Sequence, residues 1–109
     1  MRNPELTTHF SLPDWLAPQH LQGMQRGIEK ESLRMQANGY LAQTPHPQAL
    51  GSALTHPHIT TDYSEALMEL ITPPLSHPQQ ALDFLRDLHV MVQQNLPEGE
   101  TLWTMSMPV

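Results

Sequence analysis

Four carboxylates stand among apolar residues in this chain and are the best clue to its chemistry. Glu29 and Glu31 lie two residues apart, and Asp62 and Glu69 follow further along the sequence. Carboxylate oxygens with no soft ligand nearby suit hard divalent cations, above all magnesium that carries a nucleotide phosphate. Because an unpaired charge among buried apolar residues is costly, the pattern favours a functional interpretation of all four acids.

The spacing of the first pair fits a β-strand over residues 25–36. One predicted face carries Glu29, Glu31, Leu33 and Met35, and the other carries Ile28, Lys30, Ser32 and Arg34. On one face, the two acids are roughly 7 Å apart and can share a cation or bind two neighbouring ones. The alternative is a solvated face on which the acids pair with Lys30 or Arg34, although both bases project to the opposite side.

Composition excludes several classes of partner. The net charge is −6, with only five Lys and Arg among 109 residues, which argues against nucleic acid as the main partner. No apolar run approaches the ~20 residues needed to cross a bilayer, and the N-terminus lacks an apolar signal segment. The chain has no cysteine, so a reducing cytoplasm is the default prediction. The length fits one domain at most.

The elements that must position the acids are predicted from periodicity and turn chemistry. Residues 13–22 are expected to form a short amphipathic helix, and Asn38-Gly39 predicts a hairpin whose returning strand is residues 40–42. Residues 43–58 are predicted to be loop, with His-Pro dipeptides at turn positions that do not make a convincing zinc site.

The second acidic segment is ambiguous, whereas the following segment is not. Residues 59–72 have helix-forming composition, but the alternation around Met68 fits a strand equally well. Ser76 is the predicted N-cap of a helix over residues 77–95, and residues 101–107 are predicted to form a strand. An open strand at the end of the chain is an aggregation hazard, so we expect the chain to be a piece of a larger protein.

Five sequence blocks stand out by their order and spacing: residues 26–34 (RGIEKESLR), 50–56 (LGSALTH), 59–69 (ITTDYSEALME), 71–73 (ITP) and 106–108 (SMP). Together they resemble the glutamate–cysteine ligase (γ-glutamylcysteine synthetase) family of the gammaproteobacterial type. The similarity runs from about residue 14 to the end. Since the family's chains are several times longer, residues 1–109 are expected to be the N-terminal part of a single catalytic domain.

The resemblance implies a fold, an activity and a set of ligands. The implied fold is α+β, part of a glutamine-synthetase-like fold with antiparallel strands packed by helices, and residues 59–72 then form a strand. The implied activity is the ATP-dependent ligation of the L-glutamate γ-carboxyl to the amino group of L-cysteine, the first step of glutathione synthesis, through a γ-glutamyl phosphate. The family's magnesium-coordinating acids match Glu29, Glu31, Asp62 and Glu69.

An alternative function comes from a different class. The chain would then be a non-catalytic truncated remnant, or an interaction module that pairs its open sheet edge with another chain. Under the ligase interpretation the expected partners are ATP, L-glutamate, L-cysteine and Mg²⁺, and turnover requires the C-terminal part that the family carries beyond this segment.

Overall fold

The computed structural model describes residues 11–105, in which four strands form one antiparallel sheet that packs against one α-helix. The strands are β1 (Glu29–Met35), β2 (Ile59–Thr61), β3 (Leu67–Ile71) and β4 (Thr101–Leu102), and the helix is α1 (Pro78–Asn95). Their order across the sheet is β2-β3-β1-β4. Short 3₁₀ helices occupy Pro18–Leu21 and Gln48–Leu50. The predicted α+β arrangement of antiparallel strands packed by a helix is confirmed.

Strand β1 shows the predicted alternation. Its helix-facing side carries fully buried Ser32 and Arg34, and Lys30 is half-buried there. Its other side carries Glu29 and Glu31 at one end and buried Leu33 and Met35 at the other. Successive side chains of a strand point to opposite faces, so the sequence assigned both faces correctly.

Residues 59–72 form strands, as the family resemblance predicted, but they form two strands rather than one. A turn at residues 62–66 separates β2 from β3, and β3 pairs with both β2 and β1. Met68 and Leu70 are fully buried against α1. Burial of this alternate face outweighs the modest helix propensity of the segment.

Helix α1 covers one face of the sheet and builds the main core. It buries Ala81, Leu85, Leu88 and Val92. These helix residues meet a cluster from the strands and the second 3₁₀ helix, which consists of Leu50, Ile59, Met68 and Leu70. The predicted helix is confirmed, but its N-cap is His77 rather than Ser76, and no side chain caps it. Pro78 at the first position suits a helix start, because its missing N–H is not needed there.

The turn after β1 exists, but the predicted returning strand is wrong. The N–H of Gln36 donates to Tyr40 O at 2.7 Å, and Gly39, with φ of 86°, closes the turn by donating to Gln36 O. Three residues thus form the loop, a common hairpin connection with glycine in the left-handed region. Beyond it, Leu41 makes a single bridge to Met35, so residues 40–42 do not form a strand.

Two further sequence predictions need correction. Residues 13–22 do not form an amphipathic helix; only Pro18–Leu21 is helical, as a 3₁₀ turn without buried residues, and Trp15 is exposed. The final strand is shorter than predicted, although Trp103 N–H still donates to Leu33 O at 2.7 Å. The rest of that prediction, and the block at 106–108, lie outside the described residues. No helix within residues 11–105 is long and apolar enough to cross a membrane.

Truncation of a helix residue tests this assignment of the core. Leu88 is 6% exposed and Leu82 is 55% exposed on the same helix. We expect Leu88→Ala to lower the free energy of unfolding by about 2–5 kcal/mol, because it leaves a cavity in the core. Leu82→Ala, the same chemical change on the open side, should stay within about 0.5 kcal/mol. Urea unfolding of both variants measures this, and comparable losses would contradict the packing.

Candidate functional site

Three of the four predicted acids lie on neighbouring strands and share one face of the sheet. In the register of β1 and β3, Glu31 is directly opposite Glu69, and Glu29 is opposite Ile71. Directly opposed residues of antiparallel strands have Cβ atoms about 4.5–5.5 Å apart, so the Glu31 and Glu69 carboxylates are neighbours. Glu29, on the same face two residues before Glu31, is a diagonal neighbour of Glu69.

The fourth acid reaches this group from the turn between β2 and β3. Asp62 follows directly after β2, and its N–H donates to Leu67 O at 3.3 Å, which anchors it beside the start of β3. Thr60, two residues earlier, pairs directly with Glu69. The structure therefore places the four acids on the face opposite α1, spread along the length of β3, with Asp62 near its first residue and Glu29 opposite its last.

The acids are more exposed than their apolar sequence neighbours led us to expect. Glu29 and Asp62 are exposed, whereas Glu31 and Glu69 are half-buried. The alternation of the strands explains this, because the intervening apolar residues of β3 point to the helix face. The acidic face, defined as Glu29, Glu31, Asp62 and Glu69, is therefore open among the described residues.

Mutual repulsion of these carboxylates is evident at Glu69. Partial burial is the main cause that raises the pKa of the Glu69 carboxyl above its usual value of 4.5, and the charges of Glu29, Asp62 and Glu31 raise it further. All three other acids thus act electrostatically on Glu69.

The alternative in which Lys30 or Arg34 neutralises the acids is not supported. The ion pairs found within residues 11–105 join Arg34 to Glu100 and Arg86 to Asp83 and Asp87. Lys30 instead donates to Ser32 Oγ on the helix-facing side of the sheet. Burial lowers the pKa of Lys30, which also shows that this amine is directed into the protein rather than to the acidic face.

The acidic face fits part of a magnesium site and not a complete one. Its donors are all carboxylates, which is the chemistry that hard cations prefer, and their repulsion would be relieved by a cation. Within the part of the chain that the structure describes, however, no three His, Asp or Glu side chains are gathered closely enough to hold a metal ion. Magnesium commonly takes one or two carboxylates and completes its shell with waters and substrate phosphates, so an incomplete protein set is consistent with it.

The histidine-rich loop has a structural role, as the sequence indicated. Nδ1 of His56 accepts the N–H groups of both His58 and Ile59, at 3.0 and 2.9 Å. The His58 ring lies edge-on against Phe84 of α1, with 4.9 Å between ring centroids. These contacts fix the entry into β2 and therefore the position of Asp62 at its end.

A buried ion pair escaped the sequence analysis. The guanidinium of Arg34 is fully buried and lies 3.1 Å from the carboxylate of Glu100. Only the position of an arginine on the buried face of β1, near the end of the strand, indicated such a pair, and nothing in the sequence identified Glu100 as its partner. Breaking such a pair costs about 3–5 kcal/mol, since the remaining charge is then buried alone.

A separate concavity lies away from the acids. An open groove of about 600 Å³ runs between the turn after β1 and the loop before β4, where Gln36, Thr44 and Glu98 are among its lining residues. It shares no residue with the acidic face, so its shape gives no support to the carboxylate site.

Comparison with known proteins identifies the family. Residues 11–109 match the family model described as glutamate-cysteine ligase. A glutamate–cysteine ligase of Hahella chejuensis is 59% identical over 91 residues, 84% of this chain and 17% of the relative. That of Sodalis glossinidius is 53% identical over 107 residues, 96% of this chain and 20% of the relative.

Solved structures agree with this match. The glutamate–cysteine ligase of Francisella tularensis in complex with AMP has a TM-score of 0.75 and 42% identity, over 77% of this chain and 17% of that one. A bifunctional glutathione synthetase of Pasteurella multocida has a TM-score of 0.76 and 42% identity, over 81% of this chain and 12% of that one.

The chain belongs to the glutamate–cysteine ligase family, and the resemblance seen in its sequence blocks is confirmed. It spans a fifth or less of the length of these relatives.

Titration of Glu69 gives a test of the acidic face. Since its folded pKa lies above the ordinary 4.5, the folded state binds more protons than the unfolded state just above that pH. Stability is therefore lost as pH rises through the window between the two pKa values. We expect Glu69→Gln to raise the melting temperature relative to wild type at about pH 7, and to lose this advantage below about pH 3.5, where the Glu69 carboxyl is largely protonated in both the folded and the unfolded state.

Glu98→Gln serves as the control, because it removes the same charge from an exposed loop outside the acidic face. An equal, pH-dependent gain in melting temperature from Glu98→Gln would mean that net charge, and not the acidic face, is responsible.

Proposed function

We propose that this chain is the N-terminal part of the catalytic domain of a glutamate–cysteine ligase, which joins the γ-carboxyl of L-glutamate to the amino group of L-cysteine at the expense of ATP. Such a protein would catalyse the first step of glutathione synthesis and would act in the cytoplasm. The observation that carries the proposal is that Glu29, Glu31 and Asp62 all act electrostatically on Glu69 from the same face of the sheet, in a chain that belongs to this family.

The proposed fold is glutamine-synthetase-like, with residues 1–109 as one part of a single catalytic domain. The four-stranded antiparallel sheet would be a section of a larger sheet, and the acidic face would line its interior. The two short edge strands, β2 and β4, leave β1 and β3 as the rigid centre, which suits a role in holding ligands.

The proposed reaction has two steps. The glutamate γ-carboxylate attacks the γ-phosphorus of ATP, which forms a γ-glutamyl phosphate and releases ADP. The amine of cysteine, after loss of a proton, then attacks the activated carbonyl carbon, and phosphate leaves as the amide bond forms. The AMP bound in the Francisella tularensis relative supports nucleotide use by this family.

The acidic face would hold Mg²⁺ through Glu29, Glu31, Asp62 and Glu69. Bound magnesium neutralises phosphate charge and orients the reacting groups. The role of this chain's own residues is to present carboxylates at fixed positions on β1 and β3. Further ligands, and the groups that bind glutamate and cysteine, would come from the part of the family's chain beyond this segment, so the segment alone is proposed to be inactive.

Charge-neutral substitutions test the ligand assignment in the complete protein encoded by the gene. Glu29→Gln and Glu69→Gln should lower metal-dependent formation of γ-glutamylcysteine by at least about 10- to 100-fold, the loss that follows removal of a group behind a metal ligand, with little loss of folded protein. Glu65→Gln is the matched control, because the Glu65 carboxylate only accepts the His46 N–H at 3.0 Å and an amide oxygen can replace it. Equal losses in all three variants would contradict the assignment.

Metal binding can be followed without turnover. We expect Mg²⁺ to raise the melting temperature of the same protein at about pH 7, since the cation relieves the repulsion at Glu69. Glu69→Gln should reduce this shift, whereas Glu98→Gln should not. If neither Mg²⁺ nor ATP changed the melting temperature, the result would instead support the non-catalytic alternative.

A further inference from the structure

Arg34 connects four separate segments through its buried guanidinium. Nη1 donates to Thr44 Oγ1 at 2.8 Å and to Glu100 Oε2 at 3.1 Å, and Nη2 donates to Thr44 O at 2.7 Å. The Thr44 hydroxyl in turn donates to Glu100 Oε1 at 2.5 Å. The loop at Thr44 and the residue before β4 are therefore fixed to the C-terminal end of β1.

The same guanidinium also holds the turn that begins at Asp62. Nη2 donates to Glu65 O at 3.2 Å, and the backbone N–H of Arg34 donates to Ala66 O at 2.7 Å. At the other end of the turn, the N–H of Asp62 donates to Leu67 O. Arg34 thus holds residues 65 and 66, at the end of a short turn whose first residue, Asp62, belongs to the acidic face.

We propose that Arg34 is a positioning residue for the cation site: its guanidinium, held in place by Glu100 and Thr44, donates to Glu65 O, fixes the turn at residues 62–66 and so keeps the Asp62 carboxylate near Glu69. The inference rests on the proposed function and adds a residue that contacts no ligand. Lysine cannot replace it, because one ammonium lacks the rigid fork of donors that reaches Thr44, Glu65 and Glu100 together.

The test measures Mn²⁺ affinity of the complete gene product by the electron paramagnetic resonance signal of free Mn²⁺. Arg34→Lys should raise the dissociation constant by about tenfold, the usual size of an effect from a group behind a metal ligand. In an Asp62→Asn background the same substitution should cause no further change, since the ligand that Arg34 positions is already lost. Arg86→Lys, on the exposed surface of α1, is the control and should leave the affinity unchanged.

Thr44→Val gives a second test that spares the charge pair. It removes the hydroxyl between Arg34 and Glu100, and it should weaken Mn²⁺ binding in the same direction, again only when Asp62 is present. If Arg34→Lys does not fold, Thr44→Val still shows whether this hydrogen-bond network positions Asp62.

The outcomes distinguish the proposed cation site from the positioning role of Arg34. Wild-type protein that does not bind Mn²⁺, or that binds it unchanged after Glu69→Gln, overturns the proposed site and this inference with it. A different result overturns only the positioning role of Arg34. In that result the wild-type protein binds Mn²⁺, and Arg34→Lys and Thr44→Val weaken Mn²⁺ binding just as much in the Asp62→Asn background as in the wild type.

Discussion

The register between β1 and β3 is the constraint on which the other features depend. It places Glu31 opposite Glu69 and Leu33 opposite Leu67 on one face, while Met68 and Leu70 enter the core beneath α1. A slip of one residue would turn the apolar side chains of one strand to solvent and its acids into the core. The hydrophobic core under α1 therefore also determines the geometry of the acidic face on the opposite side.

Repulsion between the carboxylates of the acidic face lowers the stability of the fold. Partial burial and the charges of its neighbours raise the pKa of Glu69, and no basic side chain within residues 11–105 pairs with these acids. A surface that served only to keep the chain in solution would gain from spreading these charges apart. Carboxylates held on adjacent strands cost less stability where a cation offsets their repulsion. The electrostatics therefore favour a ligand-binding role over a solvated surface.

The sequence predicted those features that follow from local periodicity. The two faces of β1 and the extent of α1 were correct because alternation and helical spacing are set by neighbouring residues. Errors arose where distant contacts decide: residues 40–42 make only one bridge to β1, and Trp15, which was expected to face the protein, is exposed. The sequence indicated the acids but not their convergence, because convergence depends on which strands pair.

The Arg34–Glu100 pair shows why the site also needs long-range information. A buried ion pair is seldom the most stabilising choice, since well-packed apolar residues of similar volume often do as well or better. An arginine adds hydrogen bonds of defined geometry, because one planar guanidinium donates to the carbonyls of Thr44 and Glu65 and to the carboxylate of Glu100 at the same time. In this chain those groups belong to the loop before β2, the turn that follows Asp62 and the residue before β4. The proposed positioning role gives this buried charge a reason, because stability alone does not require an arginine that joins these three segments.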